Sequence, residues 1–397
     1  LIVLYKRKQS FVQESNNMPR NIAKRVLISV SNDLVTDQRV GKVSASLQRN
    51  GYDVLLIGCI KKELKPLDRP YQTYRFNLFF RKKFIFYLEY NLRLLFVLLF
   101  KRKNILLCND TDALPANFIA AKLCRVPLVF DAHELFPEVP ELATRPGVKR
   151  VWEKIEDVFF PHLKNSYTVC QSIAEHYKQK YGITMGIVRN IPNKDTAPSS
   201  INSAERKRIS LLPPLEGKKL LLYQGAINVG RGVDWLINAM PYLDNCILCI
   251  CGDGDLLQEM KTLTKEKQLE ERVIFTGRLP FEELNQYTEI ADLGFVLLEN
   301  MGLSYYYSLP NRIFDYMKYG VPVLASNFPE IARIVKTHQT GRLISHYEPE
   351  YLAKVIFEML KEWENKPEDK VRFKELSKEY CWENEEKVML EIVRNAK

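Results

Sequence analysis

Three polar residues that could do acid–base or positioning chemistry stand together in the segment Val129–Leu142, VFDAHELFPEVPEL. Asp131, His133 and Glu134 follow a short apolar run that is typical of a buried strand. Ligands of α/β sheets bind at the carboxyl ends of the strands, so we expect these side chains to face a cleft. A histidine beside carboxylates can hold a proton or position a hydroxyl. An isolated histidine is more often structural, and both interpretations stand at this point.

A second candidate site lies in the run Leu309–Glu330, LPNRIFDYMKYGVPVLASNFPE. Pro310 suits the start of a helix, where a missing N–H costs nothing, and Gly320 suits its end. Val321–Ala325 then reads as a short buried strand, followed by a loop that ends in a carboxylate.

The start of this predicted helix could seat an anion. Free backbone N–H groups at Asn311 and Arg312 are suited to a phosphate. Asp315 falls in the first turns, where it could accept a ligand hydroxyl. The plainer interpretation is that Asp315 only caps the helix or forms an ion pair.

Other polar residues follow strands in the first half of the chain. Asn32, Asp37 and Arg39 come after the first predicted strand, and they are candidates for binding an acceptor or a phosphate. Asp110 and Asp112 follow a later strand and could meet acceptor hydroxyls. Asp112 could equally be the N-cap of the next helix.

These candidates need a scaffold, and the hydrophobic pattern predicts an α/β fold. Strands and helices alternate through both halves of the chain, with a longer helix at Val151–Asn165. The predicted strands are Lys24–Val30, Tyr52–Gly58, Asn104–Cys108, Pro127–Phe130, Ser166–Cys170, Met185–Arg189, Leu220–Gln224, Cys246–Cys251, Val273–Thr276 and Leu293–Leu298. The chain ends in helices around 350–363 and 367–395.

A linker divides the chain into two predicted domains. Residues 191–217 contain four prolines and many polar residues. We therefore expect a tail at 1–23, a first Rossmann-like domain at 24–195 and a second at 205–375. A C-terminal helix, 376–397, is expected to pack back toward the first domain.

Four segments of the second half resemble the retaining family-four glycosyltransferases of group 1, which have the GT-B fold. They are YQGAINVGRGVDWLINA, CGDGDLLQEM, FTGRLPFEEL and the run Leu309–Glu330. The resemblance implies two Rossmann-like domains with a nucleotide-sugar cleft between them. It also implies that Gly225 leads a loop whose Arg231 binds the donor diphosphate. A second cation of the family pattern is replaced here by Ala226.

The same resemblance implies roles for other residues. Backbone at Gly277, Arg278 and Leu279 would bind the nucleotide base. The family has two glutamates eight residues apart. The second corresponds to Asp315, which would hold the ribose, and the first, near the donor sugar, falls on Tyr307. Because this glutamate is missing, residues 302–307 are expected to supply backbone and hydroxyl contacts to the donor sugar instead. His133 would lie near the reacting carbon, with Asp131 and Glu134 on the acceptor side.

The resemblance implies a retaining transferase that moves a sugar from a UDP- or GDP-sugar to a glycan or lipid-linked acceptor, as in bacterial surface polysaccharide assembly. It needs no cofactor. Asp and His are also metal ligands, but no matching second pair stands nearby, so a metal site is disfavoured. Ala226 and Tyr307 keep open a catalytically silent glycan-binding or scaffold protein. A nucleotide-sugar epimerase is a further alternative.

Positive charge is concentrated in one stretch. The net charge of +10 divides into +14 for residues 1–197 and −4 for the rest, and residues 61–103 hold 12 basic and 3 acidic residues. Within this stretch Phe84–Phe100 is too short and too polar to span a bilayer. It suits either the surface of an anionic membrane or a core helix with a solvated rim, and the two can coexist. Nucleic acid is a weaker explanation.

The cysteines and the first residues bear on location. Eight cysteines in 397 residues are not a disulfide framework. Cys246 and Cys249 form a C-x-x-C spacing, but inside a strand-like run, so buried thiols are expected. Leu1–Tyr5 is too short an apolar run for a signal peptide, and Met18 could be the true start. The expected location is the cytoplasm, with peripheral attachment to the inner face of the membrane.

Overall fold

The protein folds into two α/β domains, each built on a fully parallel sheet. This computed structural model describes residues 23–35, 37–60, 67–81, 83–194, 212–215 and 217–397. The predicted two-domain α/β arrangement is confirmed. The expectations for residues 1–22 and Met18, for most of the linker, and for the part of the basic stretch at 61–66 lie outside the described residues.

The first domain has a seven-stranded sheet in the order β3-β2-β1-β4-β5-β6-β7. Its strands are β1 (Arg25–Asp33), β2 (Asp53–Cys59), β3 (Gln72–Phe76), β4 (Ile105–Asn109), β5 (Leu128–Ala132), β6 (Asn165–Thr168) and β7 (Gly186–Ile187). Its helices are α1 (Gln38–Arg49), α2 (Lys83–Phe100), α3 (Leu114–Cys124), α4 (Pro140–Ala143), α5 (Pro146–Phe159) and α6 (Gln171–Tyr181).

The second domain has a six-stranded sheet in the order β10-β9-β8-β11-β12-β13. Its strands are β8 (Lys219–Gln224), β9 (Cys246–Cys251), β10 (Val273–Gly277), β11 (Leu293–Val296), β12 (Val323–Ser326) and β13 (Gly341–Ile344). The helices are α7 (Val233–Ala239), α8 (Leu257–Glu266), α9 (Phe281–Ile290), α10 (Leu303–Tyr306), α11 (Arg312–Tyr319), α12 (Pro329–His338), α13 (Pro349–Glu364), α14 (Pro367–Ser377) and α15 (Trp382–Asn395).

Each sheet is buried on both faces, which explains why its strands read as continuous apolar runs. In β1, Leu27 packs into one core, while Val26 and Ile28 pack into another on the opposite face. In β9, Leu248 and Cys249 divide in the same way between the two cores of the second domain.

The strand order places the ligand-binding edges of the two sheets opposite each other. All strands run parallel, but the order in which the chain adds them reverses at these points: β2 and β3 lie on one side of β1 and β4 to β7 on the other, and β9 and β10 lie on one side of β8 and β11 to β13 on the other. Crevices of parallel sheets open at such points, outside the carboxyl ends of the strands. The segments after β1, β5, β8, β9 and β10 all contribute residues to one cavity between the domains.

Contacts away from this cavity also tie the domains together. Helix α15 packs on α1, β6 and β7, with Trp382 and Met389 inside the first-domain core. On another side, Glu330 at the start of α12 accepts hydrogen bonds from the backbone N–H of Ser172 (2.8 Å) and from its hydroxyl (2.6 Å). A carboxylate from the second domain therefore caps helix α6 of the first.

Some predicted boundaries are wrong. The helix expected to open at Pro310 begins at Arg312, with Asn311 as its N-cap. The helix expected at Val151–Asn165 is α5 and ends at Phe159. The strand expected at Met185–Arg189 is the two-residue β7, and the last helix is divided after Ser377. Among the described residues, no helix is both long and apolar enough to cross a membrane.

We expect Trp382 to anchor α15 to the first domain. Its side chain is 1% exposed, and its indole N–H donates to Ser46 Oγ at 2.8 Å. Trp382→Ala should lower the free energy of unfolding by about 3–5 kcal/mol through the lost burial and the cavity left behind. Chemical denaturation measures this change. Val371→Ala, at a position 63% exposed, is the control and should stay within about 0.5 kcal/mol; equal effects of the two would contradict the anchoring.

Candidate active site between the domains

A cavity of about 940 Å³ lies between the two domains. It brings together these residues predicted from the sequence: Asn32, Asp37, Arg39, His133, Glu134, Arg231, Arg278 and Asn311. Asp315 lines a neighbouring cavity of about 490 Å³, and Asn311, Gln38 and Asn190 belong to both. The two cavities therefore adjoin at the start of α11.

His133 is held from both sides of its ring. Its Nδ1 lies 3.0 Å from Asp110 Oδ2, and its Nε2 lies 3.2 Å from Asp131 Oδ2. Nε2 also lies 3.2 Å from Asn109 Oδ1, and the backbone N–H of His133 donates to Asp110 Oδ1 at 2.8 Å. The side chain is 17% exposed, so one edge of a fixed ring reaches the cavity.

This environment keeps His133 charged. Burial alone would lower its pKa, but Asp110 and Asp131 outweigh burial and raise the pKa well above its usual range. A charged imidazole donates hydrogen bonds from both nitrogens and cannot accept a proton. His133 is therefore arranged for electrostatic and positioning work rather than for general-base catalysis.

Asp131 and Arg39 form a buried pair beneath the histidine. Arg39 Nε and Nη2 donate to the two oxygens of Asp131 at 3.0 and 2.7 Å, and Nη1 donates to the Val188 carbonyl at 2.9 Å. The pKa of Asp131 is lowered, because Arg39 and His133 together overcome the effect of burial. Asp131 is completely buried, so the expectation that it faces the cleft is wrong, and it instead positions Arg39 and His133.

Asp110, which holds the ring and backbone of His133, adopts an unusual backbone conformation. Its φ and ψ are 60° and 164°, a region that residues with a side chain rarely occupy. The strain is sustained by its bonds to the ring and backbone of His133.

Asp112 does not fill either predicted role. It is buried and accepts a hydrogen bond from Ser31 Oγ, and it is absent from the described lining of the cavity. Helix α3 begins at Leu114 without a side-chain cap, so the N-cap interpretation is wrong.

Glu134 is a carboxyl group next to His133 that opens onto the cavity. Burial within the cleft raises its pKa to about 7, with Asp110 and Glu141 adding to the shift and His133 and Arg231 opposing it. One side of the carboxyl group is nevertheless open to the water in the cleft, and this water reduces the rise in its pKa. Ser304 of the second domain lies 3.5 Å from its Oε2.

On the donor side, a glycine loop approaches the sheet closely. Gly225 has a φ of 140°, and a Cβ on Gly252 would lie 1.8 Å from the Gly225 carbonyl oxygen. Arg231 follows this loop, with its guanidinium 4.5 Å from the centre of the Tyr305 ring. Its Nε is buried and has no hydrogen-bond partner among the described residues.

The guanidinium of Arg312 lies directly beneath the glycine loop. Its Nη1 donates to the Gln224 carbonyl at 2.9 Å and would be 3.0 Å from a Cβ on Gly225. The group rests 4.8 Å from the centre of the Tyr223 ring and is 7% exposed. Its Nε and Nη2 have no partner, and no carboxylate pairs with it within the described ranges.

Asp315 lies one helical turn further along α11. Its Oδ2 accepts from Gln224 Nε2 at 3.1 Å. Burial raises its pKa to about 6, although Lys42 and Lys318 oppose this. Lys42 lines the same cavity from the first domain, and burial lowers its pKa to about 8 against the pull of Asp315.

The remaining predicted donor residues are only partly placed in the cavity. Gly277 has a φ of 71° and ends β10, Arg278 is exposed to the cavity, and Leu279 packs on the core. The ring of Tyr307 packs against the first-domain core, and its carbonyl accepts from the Cys170 thiol at 3.1 Å. Tyr305, two residues earlier, lines the cavity instead.

The sequence reasoning missed several residues of the cavity. Asp253 and Asn190 follow strands β9 and β7, so the carboxyl-end rule could have found them. Ser304 and Tyr305 lie in the stretch 302–307, where contacts to the donor sugar were expected, and both line the cavity. Ser308 lies just outside that stretch and gave no such signal.

No group of three or more His, Cys, Asp or Glu side chains in the described part of the chain is placed to hold a metal ion. Cys246 and Cys249 both lie within strand β9, buried in different cores.

Two family models cover most of the chain. Residues 205–379 match the model for glycosyl transferases group 1, and residues 38–193 match that for glycosyltransferase family 4. The chain belongs to the family-four type of group 1 glycosyltransferases.

Solved structures agree on the fold at low sequence identity. Sucrose-phosphate synthase from Thermosynechococcus elongatus has a TM-score of 0.76 at 16% identity, over 94% of this chain and 98% of that one. HepE of Anabaena, in complex with UDP and glucose, has a TM-score of 0.70 at 16% identity, over 94% and 99%. The GT-B fold expected from the sequence is confirmed.

Among curated relatives, the alpha-monoglucosyldiacylglycerol synthase of Streptococcus pneumoniae is 27% identical over 36% of this chain and 32% of its own length. The chitobiosyldiphosphodolichol beta-mannosyltransferase of Candida glabrata is 21% identical over 80% and 79%. The matched region spans about a third of the length of the first curated relatives.

We expect His133 to remain protonated well above pH 7. Because its folded pKa is raised above the unfolded value of about 6.5, its stabilising effect is complete below that pH and is lost as the pH rises through the folded pKa. His133→Gln should therefore lower the free energy of unfolding by about 3 kcal/mol near pH 6 and by progressively less in alkaline solution. Urea unfolding of both proteins across this pH range measures the difference, and a histidine NMR signal assigned by the same variant that titrates near pH 6.5 would contradict it.

Proposed function

We propose that this chain is a retaining glycosyltransferase that moves a hexosyl or related sugar from a UDP- or GDP-sugar to a glycan or lipid-linked acceptor, without a required metal. In this reaction the bond between the anomeric carbon and the donor diphosphate breaks, and the diphosphate leaves with the electron pair. The acceptor hydroxyl forms the new bond to the anomeric carbon, and its proton passes to the departing diphosphate. The observation that carries the proposal is the cavity with the cations Arg231 and Arg278 on one wall and, on the other, the imidazole of His133 held between two carboxylates.

The two adjoining cavities suggest how the donor would lie. The start of α11, at Asn311, would seat the diphosphate between them, because the backbone N–H groups of Asn311 and Arg312 have no partner among the described hydrogen bonds. The nucleoside would extend toward Asp315, and the sugar toward His133 and Glu134. HepE, solved with UDP-glucose, supports a nucleotide-sugar donor by analogy of fold.

In this proposal Arg312 supplies the positive charge that the family pattern has at the position of Ala226. A buried guanidinium is costly unless an anion pairs with it, and the described residues provide none. It lies beneath Gly225, whose missing side chain leaves the way open to a ligand on the loop. Together with Arg231, it would stabilise the charge that develops on the leaving diphosphate.

On the acceptor side, Glu134 and Asn32 face the cavity, with Asp37 nearby as the N-cap of α1. Their hydroxyl-accepting groups suit a sugar acceptor. A relative named for a diacylglycerol product supports a lipid-linked one. We place the reaction in bacterial surface polysaccharide assembly, with the protein peripheral at the inner face of the cell membrane.

The test measures donor binding and transfer together. Calorimetry with UDP, GDP, UDP-glucose and GDP-mannose, with and without magnesium, should show one nucleotide bound selectively without metal. Radiolabelled donor should then label lipid-extractable material from bacterial membranes, with the donor's anomeric configuration retained in the product by NMR. Inversion would contradict the retaining assignment, and a changed sugar nucleotide without transfer would indicate an epimerase. Binding of no donor would indicate a silent protein.

Arg231→Met should weaken nucleotide binding by about tenfold or more through loss of a charge-assisted contact. The matched control is Arg394→Met, at an exposed position on α15 away from the cleft, which should bind as the wild type does. Equal affinity of Arg231→Met and wild type would remove Arg231 from the donor site.

A rescue experiment tests whether Arg312 takes the place of the cation that the family pattern has at Ala226. Arg312→Met should weaken UDP or GDP binding by about ten- to a hundredfold. It should leave the thermal midpoint unchanged or higher, because an apolar side chain replaces an unpaired buried charge. Adding Ala226→Arg in the same chain should restore much of the affinity. Lost stability with no rescue would mean that Arg312 is only structural.

A further inference from the structure

Helix α2 carries two apolar rows that face in opposite directions. One row is buried in the first-domain core: Phe86, Tyr90, Leu94 and Leu98. The other is exposed, from 46% at Leu88 to 74% at Phe100: Phe84, Leu88, Leu92, Phe96 and Phe100, with Ile85 beside it. A helix packed on one side needs a single apolar row, so folding does not account for the second.

The loop before α2 extends this surface. Phe79 and Phe80 are 84% and 50% exposed, and Glu89 of α2 holds them in place by accepting their backbone N–H groups at 3.1 and 2.9 Å. Arg93 pairs with Glu89 at 2.7 Å and lies 5.0 Å from the centre of the Phe79 ring. We call this exposed row, with Phe79 and Phe80, the α2 ridge.

The charge around the ridge has one sign. Glu89 is the only acidic residue between Asp68 and Asp110, and Arg93 already pairs with it. Arg81 at one end and Lys101 and Arg102 at the other are exposed. Because both ends are cationic, pairing with a second copy of this chain would bring like charges together. An anionic lipid surface matches both the apolar row and the flanking charge.

We infer that the α2 ridge docks this protein on an anionic lipid bilayer, with the helix lying in the plane of the interface. The ridge spans about 24 Å along the helix, and its rings reach the boundary between headgroups and acyl chains. Docking on lipid does not depend on the proposed reaction. If both hold, the reaction takes place at the bilayer surface.

The same helix contacts the acceptor side of the cleft. Asn91 Nδ2 donates to the Asp112 carbonyl at 2.8 Å, and its Oδ1 accepts from the Ala116 N–H at 3.1 Å. Asn91 therefore fixes the segment that follows Asp110, the partner of His133. The bilayer-facing row and this segment contact different sides of one helix, which is about 10–12 Å in diameter. A lipid-linked acceptor could keep its lipid in the bilayer while its sugar reaches the cavity.

Flotation of the full chain with vesicles tests the docking. Wild type should float with phosphatidylcholine vesicles containing phosphatidylglycerol, and weakly with phosphatidylcholine alone. The double variant Leu92→Asp/Phe96→Asp should reduce binding by about tenfold or more, because it places charge in the apolar row. Phe357→Asp on α13 is the matched control: Phe357 is 62% exposed, against 61% and 65% for Leu92 and Phe96.

Further measurements separate the alternatives. Thermal unfolding should give the same midpoint for all three proteins, since the changed side chains are exposed. Lys101→Glu/Arg102→Glu and added salt should both weaken binding to anionic vesicles. The inference is overturned if wild type stays with the unbound fraction, or if the double variant floats as well as wild type. A third result would also overturn the inference: the wild type forms a dimer and does not float, while the double variant is a monomer. The ridge would then be a contact between two copies of this chain.

Discussion

The buried ion pair between Arg39 and Asp131 is the contact on which the cleft depends. It joins α1 to β5, and the third bond of Arg39, to the Val188 carbonyl, adds the end of the sheet. Burying two charges costs desolvation, which a bidentate pair with further hydrogen bonds can offset. Because Asp131 also contacts His133, the pair sets both the position and the charge of the ring that faces the cavity.

The second domain completes the cleft from the opposite side, and its fit depends on contacts that are remote from the cavity. Glu330 caps α6, the ring of Tyr307 packs on the first-domain core, and Trp382 is buried beside α1. These contacts bring Ser304 to within 3.5 Å of Glu134. The cationic loop of one domain and the histidine of the other therefore face a single space within the usual size range of small-molecule sites.

Helix α2 connects this cleft to the protein surface. Its buried row completes the first-domain core, its polar side fixes the segment after Asp110 through Asn91, and its exposed row is left to a partner. The concentration of positive charge around the ridge explains why the basic excess of the chain is confined to the first domain. A single helix thus carries both the exposed ridge and the contact that fixes the segment behind His133.

The sequence by itself determined the elements and the edge where the site lies, because both follow from local patterns. The strand Cys246–Cys251 was predicted to the residue, and the carboxyl-end rule placed His133 beside the cleft. Contacts between distant residues could not be predicted in this way. Arg39 and Asp131 are 92 positions apart, so only tertiary packing decided that they pair. Packing likewise decided which apolar row of α2 meets the core, because the sequence is apolar on both sides.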